Sequence, residues 1–296
     1  MTLRTPAFEA FVAPARPTRQ IWMLLLGLLL AVVIYAFVTL VIFAVVWVVR
    51  GLPQNVIWFE ELIRADTPDK LLILLVSFVG MALGPMAAVL MLHERPVGTL
   101  FGRAPVVLRD FTVAAAVAGT VLGASLIFWS WGNDAVPGLP CDRWIVLLPL
   151  AAVLVLIQTG AEELVFRGYM QQQLGARFRS PIAWALVPAM LFGVAHFDVA
   201  SAGPVAPLVV ISAGLFGLMA ADLTAQTGSI GAAWGFHFAN NMLALTLIAT
   251  EGTLTGLALY KTPYAVSDLE VMRTALPFDL LMMGLIWFAI RRILSR

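Results

Sequence analysis

The chain has 296 residues, of which 61% are hydrophobic and 12% are charged, whereas soluble domains average roughly 25% charged residues. Because so few polar side chains cannot cover the surface of a soluble protein of this length, the composition excludes an ordinary soluble domain. A net charge of +1 without a run of like charge gives no sign of a nucleic-acid partner. The single Cys141 excludes an internal disulfide and any multi-cysteine metal site. We therefore expect an integral membrane protein.

Apolar runs bounded by charges, Trp, Gly or Pro predict about eight membrane spans, since a span needs about 20 apolar residues. The predicted spans are Ile21–Val48, Leu71–Leu92, Phe111–Trp131, Trp144–Phe166, Ile182–Phe197, Val205–Thr224, Ile230–Thr250 and Ala275–Ile290. No internal repeat or low-complexity linker divides the chain. The predicted fold class is all-α: a polytopic transmembrane helix bundle with a polar active-site cavity.

The chain is divided into a short amino-terminal segment and one membrane domain. Residues 1–20 are predicted to be a cytoplasmic tail or an interfacial segment, with either Phe8 and Phe11 turned toward lipid or no fixed structure. Residues 21–296 form the transmembrane helical domain. The short loops on the side of the amino terminus contain about twice as many Lys and Arg residues as the loops on the other side. Because positively charged loops remain in the cytoplasm, this distribution predicts that both termini are cytoplasmic.

Small residues spaced four apart occur in three predicted spans and allow helices to approach closely. The three pairs are Gly80 and Gly84, Gly119 and Gly123, and Gly231 and Gly235. We interpret them mainly as internal packing faces, with dimerisation through one of them as the alternative.

Ionisable residues inside a span cost several kcal/mol, and they are therefore functional candidates. The fourth predicted span carries Glu162, Glu163 and Arg167 in apolar surroundings. Glu163 and Arg167 are four residues apart with the acid first, which predicts an ion pair along the helix. Glu162 points about 100° away from Glu163. We expect it to have no partner in its own helix, so it requires another explanation.

Two of the three histidines also fall inside predicted spans, at His196 and His237. Residues 162 and 196 are equally distant along the chain from Arg179, so an antiparallel hairpin would bring Glu162 and His196 to a similar depth. His237 and Asn241 are four apart and share one helix face. We therefore predict a cluster of a carboxylate, two imidazoles and a carboxamide.

These residues form three short motifs in a fixed order on separate predicted helices. The motifs are Glu162-Glu163-x-x-x-Arg167, Phe192-x-x-x-His196 and His237-x-x-x-Asn241. In this order they resemble the CPBP family of intramembrane proteases, which includes CAAX prenyl endopeptidases and bacteriocin self-immunity proteins. The resemblance covers a protease core at about 143–250 and implies an intramembrane metalloendopeptidase that hydrolyses peptide bonds.

The resemblance also implies roles for the individual residues. Glu162 would activate the attacking water, His196 would assist it, and His237 with Asn241 would bind a metal or stabilise the oxyanion. Glu163, Arg167 and Phe192 would support them.

Two versions of this chemistry are open. In one, Glu162, His196 and His237 bind Zn²⁺, because two imidazoles and a carboxylate are an acceptable catalytic set. In the other, no metal is bound, and a desolvated Glu162 is the general base. No His-Glu-x-x-His motif is present, so a zincin is excluded.

Two polar regions lie outside the predicted apolar spans. Gly168–Ser180, with Gln171–Gln173, is too polar for lipid, and we expect it to form the cytoplasmic mouth of the site. His93, beside Glu94 and Arg95, is interpreted as an interfacial loop residue.

The predicted partners are the bilayer, which we expect to be a bacterial plasma membrane, and a membrane protein or lipidated peptide as substrate. The sequence does not specify an oligomeric state. A catalytically silent scaffold or bacteriocin immunity factor is the first alternative function. A proton- or metal-coupled transporter is the second, but the sequence has neither paired broken half-helices nor a repeat to favour it.

Overall fold

The structure is a computed structural model that describes residues 4–50, 62, 64–132 and 134–295. Residues 1–3 of the predicted amino-terminal segment therefore lie outside the described residues. We number the helices α1 Pro6–Val12, α2 Ile21–Arg50, α3 Pro68–Met91, α4 Ala104–Ser130, α5 Cys141–Glu163, α6 Gln172–Arg177, α7 Val187–Ala195, α8 Val199–Ala202, α9 Ala206–Thr227, α10 Gly231–Met242 and α11 Leu269–Leu294. Three π-helical segments, Leu164–Gln171, Ile182–Leu186 and Leu243–Leu247, join or extend them.

The polytopic helix bundle is confirmed. Within the described ranges, six helices are long and apolar enough to cross a membrane. They are Ile21–Val49, Pro68–Met91, Ala104–Ser130, Cys141–Arg177, Val199–Thr227 and Leu269–Leu294. The other two predicted spans are helical but shorter: Ile182–Ala195 is an apolar helix of intermediate length, and α10 with its π-helical extension ends at Leu247.

A small sheet departs from the all-α prediction. Its strands are β1 Val136–Pro137, β2 Ile248–Glu251 and β3 Tyr260–Ala265, in the order β1-β3-β2. β1 pairs antiparallel with β3, and β2 pairs parallel with it. The predicted seventh span was therefore too long, because residues 248–250 satisfy their backbone groups in the sheet rather than in a helix.

The amino-terminal helix α1 is part of the core, which corrects the prediction that its phenylalanines face lipid. Phe8 and Phe11 are 0% and 4% exposed, and the Phe8 ring lies 4.5 Å from that of Trp184. Arg4 donates hydrogen bonds to the carbonyls of Gly175 and Phe178. These contacts attach the segment to the end of the long helix formed by α5, the π-helical turn and α6.

The glutamines of the long helix are buried, so the prediction that Gly168–Ser180 forms an open mouth is wrong for this part of the segment. Gln171 donates to the carbonyl of Ala221, and Gln172 donates to those of Phe11 and Thr99. Buried amides are stable when hydrogen-bonded. The polar residues of this segment thus tie neighbouring elements together, and only its end, at residues 177–180, is exposed.

His93 lies in the loop after α3, as interpreted, and it is buried in the same polar region. Its Nδ1 lies 2.8 Å from Thr18 Oγ1, and its Nε2 lies 2.8 Å from the Tyr169 hydroxyl. Gln173 Nε2 is 3.0 Å from the Nδ1 atom. Burial first, and the nearby Arg95 charge second, lower the pKa of His93 from its usual 6.5 to about 4.

This shift predicts that the protein loses stability on acidification. Between pH 6.5 and about 4 the unfolded chain binds a proton that native His93 does not, so the free energy of unfolding falls as the pH falls through this window. His93→Gln keeps hydrogen-bonding groups but cannot titrate. We expect thermal denaturation in detergent across this range to show a flatter pH dependence for the variant than for the wild type. Identical pH profiles would contradict the assignment.

The glycine pairs were interpreted mainly as packing faces, and two of the three pack in this way. Gly80 and Gly84 of α3 face α2, where an added Cβ would lie 2.7 Å from atoms of Val38 and Ala31. Gly231 and Gly235 of α10 face the backbone of α4. The pair Gly119 and Gly123 faces open space.

Gly235→Ala is expected to destabilise the fold by about 1–3 kcal/mol, because its methyl group would collide with the Phe111 carbonyl. Gly119→Ala is the matched control, since nothing lies within 4 Å of the added atom. Alanine is also the better helix former, so this control should be neutral or slightly stabilising. Thermal denaturation in detergent compares the two. Equal melting temperatures would mean that α10 and α4 are not in close contact.

Candidate active site

Glu162 lies at the end of α5 and is 8% exposed. Its Oε1 accepts a hydrogen bond of 2.7 Å from Nε2 of Gln158, one turn earlier on the same helix. The expectation that Glu162 lacks a partner in its own helix is therefore wrong. Sequence reasoning overlooked Gln158, although its spacing of four residues from Glu162 was the signal that could have revealed it.

Glu163 and Arg167 form the predicted ion pair. Arg167 Nη1 donates to Glu163 Oε1 at 2.9 Å, and both side chains are almost fully buried. Arg167 also donates to the carbonyl of Gly217 and lies over the ring of Phe192, 4.7 Å from its centroid. The guanidinium therefore compensates the charge of Glu163 and connects the long helix to α9 and α7.

His237 of α10 contacts both carboxylates. Its Nδ1 lies 2.9 Å from Glu163 Oε1, and its Nε2 lies 3.5 Å from Glu162 Oε2. A carboxylate accepts hydrogen bonds, so the first contact assigns a proton to Nδ1 and fixes the orientation of the ring. The Nε2 atom is thereby directed at Glu162, so the ion pair of one acid orients the histidine toward the other.

Asn241 lies one turn after His237 and completes the polar cluster. Its Nδ2 donates to Gln158 Oε1 at 2.9 Å. Gln158 in turn donates to Glu162, so the polar cluster joins α5 and α10 both through these amides and through His237. The predicted shared face of His237 and Asn241 is directed at the helix that carries the acids.

His196 lies at the edge of this cluster. It follows the last residue of α7, its side chain is exposed, and its Nδ1 donates to the carbonyl of Phe192 at 2.8 Å. The Phe192 ring lies between the two histidines, with its centroid 4.6 Å from the His196 ring and 5.9 Å from the His237 ring. Among the described residues, no hydrogen bond or ion pair joins His196 to Glu162 or His237.

Two carboxylate oxygens of the cluster are buried without a hydrogen bond, Oε2 of Glu163 and Oε2 of Glu162. What distinguishes Oε2 of Glu162 is that it faces the second imidazole nitrogen of His237, 3.5 Å away. Buried acceptors without a partner are uncommon in proteins and require an explanation. Oε2 of Glu162 lies where a bound water or a reacting group would satisfy it.

Comparison with known proteins identifies the segment that contains these residues. Residues 144–243 match the sequence model of a family described as type II CAAX prenyl endopeptidase Rce1-like. We refer to residues 144–243 as the Rce1-like segment. All the residues of the polar cluster, from Gln158 to Asn241, lie inside the Rce1-like segment.

A curated relative is an uncharacterised protein, YyaK, of Bacillus subtilis (strain 168). It is 39% identical over 119 residues, which are 39% of this chain and 38% of the relative. The matched region thus spans about two fifths of the length of the curated relative. No solved structure matches the chain.

The Rce1-like segment does not hold a ready three-ligand metal site. The 3.5 Å separation between Glu162 Oε2 and His237 Nε2 suits two neighbouring ligands of one ion. A catalytic zinc needs three protein ligands, and within the described ranges no group of three His, Cys, Asp or Glu is arranged to hold one. The predicted third ligand, His196, is directed at a backbone carbonyl through Nδ1. The cluster as it stands therefore does not fit zinc, and zinc binding stays a prediction.

Proposed function

We propose that this chain is an intramembrane endopeptidase in which Glu162 activates the attacking water. One observation carries the proposal: a buried carboxylate oxygen of Glu162 faces an imidazole that a second, charge-compensated carboxylate orients. Maintaining two acids and an arginine in apolar surroundings is costly, and such residues in spans mark functional sites. The match to an endopeptidase family over the same residues supports this reading.

In the proposed reaction, the free oxygen of Glu162 accepts a proton from water as the water oxygen attacks the peptide carbonyl carbon. The carbonyl oxygen becomes an oxyanion in a tetrahedral intermediate. The intermediate then collapses with cleavage of the C–N bond, and the proton held by Glu162 passes to the leaving amine nitrogen. The second proton of the water stays on the new carboxyl group, so the products are a carboxylic acid and an amine, which ionise to carboxylate and ammonium, and one water is consumed for each bond cleaved.

The neighbouring groups have separate proposed roles. Gln158 orients the carboxylate through Oε1 and leaves Oε2 free for the water. With Nδ1 donating to Glu163, Nε2 of His237 carries a lone pair and would accept a second hydrogen bond from the water that Glu162 activates, while Glu163 and Arg167 keep the ring in position. Asn241 retains a second amide hydrogen. His196 donates from Nδ1 to the Phe192 carbonyl, so its Nε2 could donate as well only in the doubly protonated imidazolium form. These two side chains are candidate donors to the oxyanion, a role worth about 2.7–4 kcal/mol per donor in other hydrolases.

The proposed substrates are membrane proteins or lipidated peptides, because the site lies among helices that are long enough to span a bilayer. We further propose that the protein resides in a bacterial plasma membrane with both termini cytoplasmic. Exposed His196 would mark the side from which water and substrate approach.

The test is cleavage of a library of tagged membrane peptides, including prenylated ones, by the purified chain in liposomes. Mass spectrometry identifies the products. The wild type is expected to cleave, and so is Glu270→Gln, because Glu270 is an exposed acid of α11 outside the polar cluster. His196→Ala should reduce the rate by about 10²-fold or more if His196 donates to the oxyanion. Undiminished cleavage by His196→Ala would remove it from the mechanism. A wild type that cleaves no peptide would contradict the endopeptidase proposal.

Each reaction is repeated with a chelator and with added zinc. Cleavage that the chelator abolishes and zinc restores would mean that the cluster rearranges to add a third ligand. Cleavage that persists would favour the reaction written above.

A further inference from the structure

A basic cavity lies where the amino-terminal segment meets the end of the long helix. Its volume is about 560 Å³. Three arginines line it, Arg16 and Arg19 from the segment before α2 and Arg177 from the end of α6. All three are exposed. No residue of the candidate active site takes part in this cavity.

The positive charge of the cavity is only partly compensated. Arg16 pairs with Glu9, which lies outside the cavity lining and also pairs with Arg4. Arg19 and Arg177 form no ion pair with any residue in the described part of the chain. The guanidinium of Arg177 lies 5.6 Å from the centroid of the Phe178 ring, which leaves its hydrogen-bond donors available. Two guanidinium groups therefore face one cavity without an acidic partner.

Besides the arginines and Gln20, the lining of the cavity is apolar, and its apolar residues locate it at the membrane surface. Ile21 and Trp22 belong to this wall and begin the most apolar of the spanning helices. Trp22 is 62% exposed, as is typical of aromatic side chains at the boundary between headgroups and hydrocarbon. Arg177 ends the spanning helix Cys141–Arg177. The cavity thus has a basic part on the aqueous side and an apolar part on the lipid side.

We propose that this cavity binds the phosphate headgroup of an anionic phospholipid. Guanidinium groups match phosphate oxygens in geometry and charge, and Arg19 and Arg177 would supply these contacts. The acyl chains would run along Ile21 and Trp22. An anionic lipid satisfies both parts of the cavity, whereas free phosphate satisfies only the basic part.

A bound lipid would also stabilise the amino-terminal segment. Arg16 and Arg19 follow α1, whose Phe8 and Val12 pack against Gly175 of α6. The lipid phosphate would therefore join the two elements that this packing already brings together. Because the ligand binds the folded form, it should raise the melting temperature in proportion to its occupancy.

The experiment measures thermal stability of the full chain in a neutral detergent during titration with phosphatidylglycerol. Phosphatidylcholine with the same acyl chains and inorganic phosphate are titrated separately. The test variant is Arg19→Gln/Arg177→Gln, which keeps the Arg16–Glu9 pair. The control is Arg103→Gln/Arg292→Gln, which removes the same charge from exposed residues outside the cavity.

We expect phosphatidylglycerol, but not phosphatidylcholine, to raise the melting temperature of the wild type and the control. The phosphatidylglycerol concentration at the midpoint of the titration should be about thirtyfold higher for the test variant than for the wild type, because two arginine contacts are lost. Equal midpoints for both double variants would overturn the site, because general attraction to basic residues would then explain the effect. An equal response to inorganic phosphate would overturn the lipid assignment. Arg19→Gln alone loses no hydrogen bond, so it tests the site even if the double variant fails to fold.

Discussion

Glu162→Gln is expected to reduce peptide cleavage by about 10² to 10⁴-fold, the usual contribution of a general base. The amide retains an oxygen that Gln158 can continue to donate to, but it cannot accept a proton from water. Its volume is nearly that of glutamate, so the fold should be retained. Single-turnover cleavage in liposomes measures the rate, and thermal denaturation in detergent verifies folding.

Glu270→Gln is the matched control for this prediction, since it makes the same chemical change at an exposed residue of α11. It should cleave at the wild-type rate. A folded Glu162→Gln variant that retains more than about a tenth of wild-type activity would contradict the role of Glu162 as the base. If the phenotype of the protein in cells survives this substitution, a silent scaffold becomes the better description.

Arg167→Met is expected to lower the free energy of unfolding by about 3–5 kcal/mol, because it leaves the carboxylate of Glu163 buried without its charge partner. Both side chains of the pair are at most 2% exposed, so water cannot replace the lost contact. Methionine keeps much of the arginine stem volume and so limits the loss of packing. Thermal or chemical denaturation in detergent measures the difference.

The double variant Glu163→Gln/Arg167→Met separates the charge effect from packing. It removes the buried charge together with its partner, so it should be more stable than Arg167→Met alone. Glutamine can still accept the hydrogen bond from Nδ1 of His237, and thus the ring should keep its orientation. If the double variant is as unstable as the single one, lost packing against Phe192 and α9 explains the result better than an uncompensated charge.

The two predictions assign different functions to adjacent acids. Glu162 is expected to govern the rate of cleavage, whereas Glu163 with Arg167 is expected to govern stability and the position of His237. The contacts explain this division: Glu163 is held by the charge of Arg167 and by His237, whereas Glu162 has only the neutral Gln158 as a hydrogen-bond partner and its Oε2 faces the second nitrogen of His237. Activity and melting temperature measured on the same variants distinguish the two functions.

Features that depend on spacing within one helix or on the length of an apolar run could be predicted from the sequence. Runs of about 20 apolar residues predicted the spanning helices. A spacing of four predicted the ion pair of Glu163 with Arg167 and the shared face of His237 and Asn241. The order of the three motifs predicted a resemblance to CAAX prenyl endopeptidases, and residues 144–243 match the model of such a family. These features are local, so neighbouring helices do not alter them.

Contacts between polar groups on different helices could not be predicted from the sequence and follow from the packing of the bundle. The contact of His237 with both acids depends on how α10 lies against α5, and no spacing within either helix encodes it. Gln171–Gln173 and His93 look like surface residues in sequence, yet partners from distant segments make their burial favourable. The same reasoning applies to His196, which the helix end leaves at the edge of the cluster although its motif is intact. Burying a polar group without a partner costs free energy, so buried polar groups pair with the groups that the fold brings near them. Their environment is therefore a property of the packed bundle rather than of the local sequence.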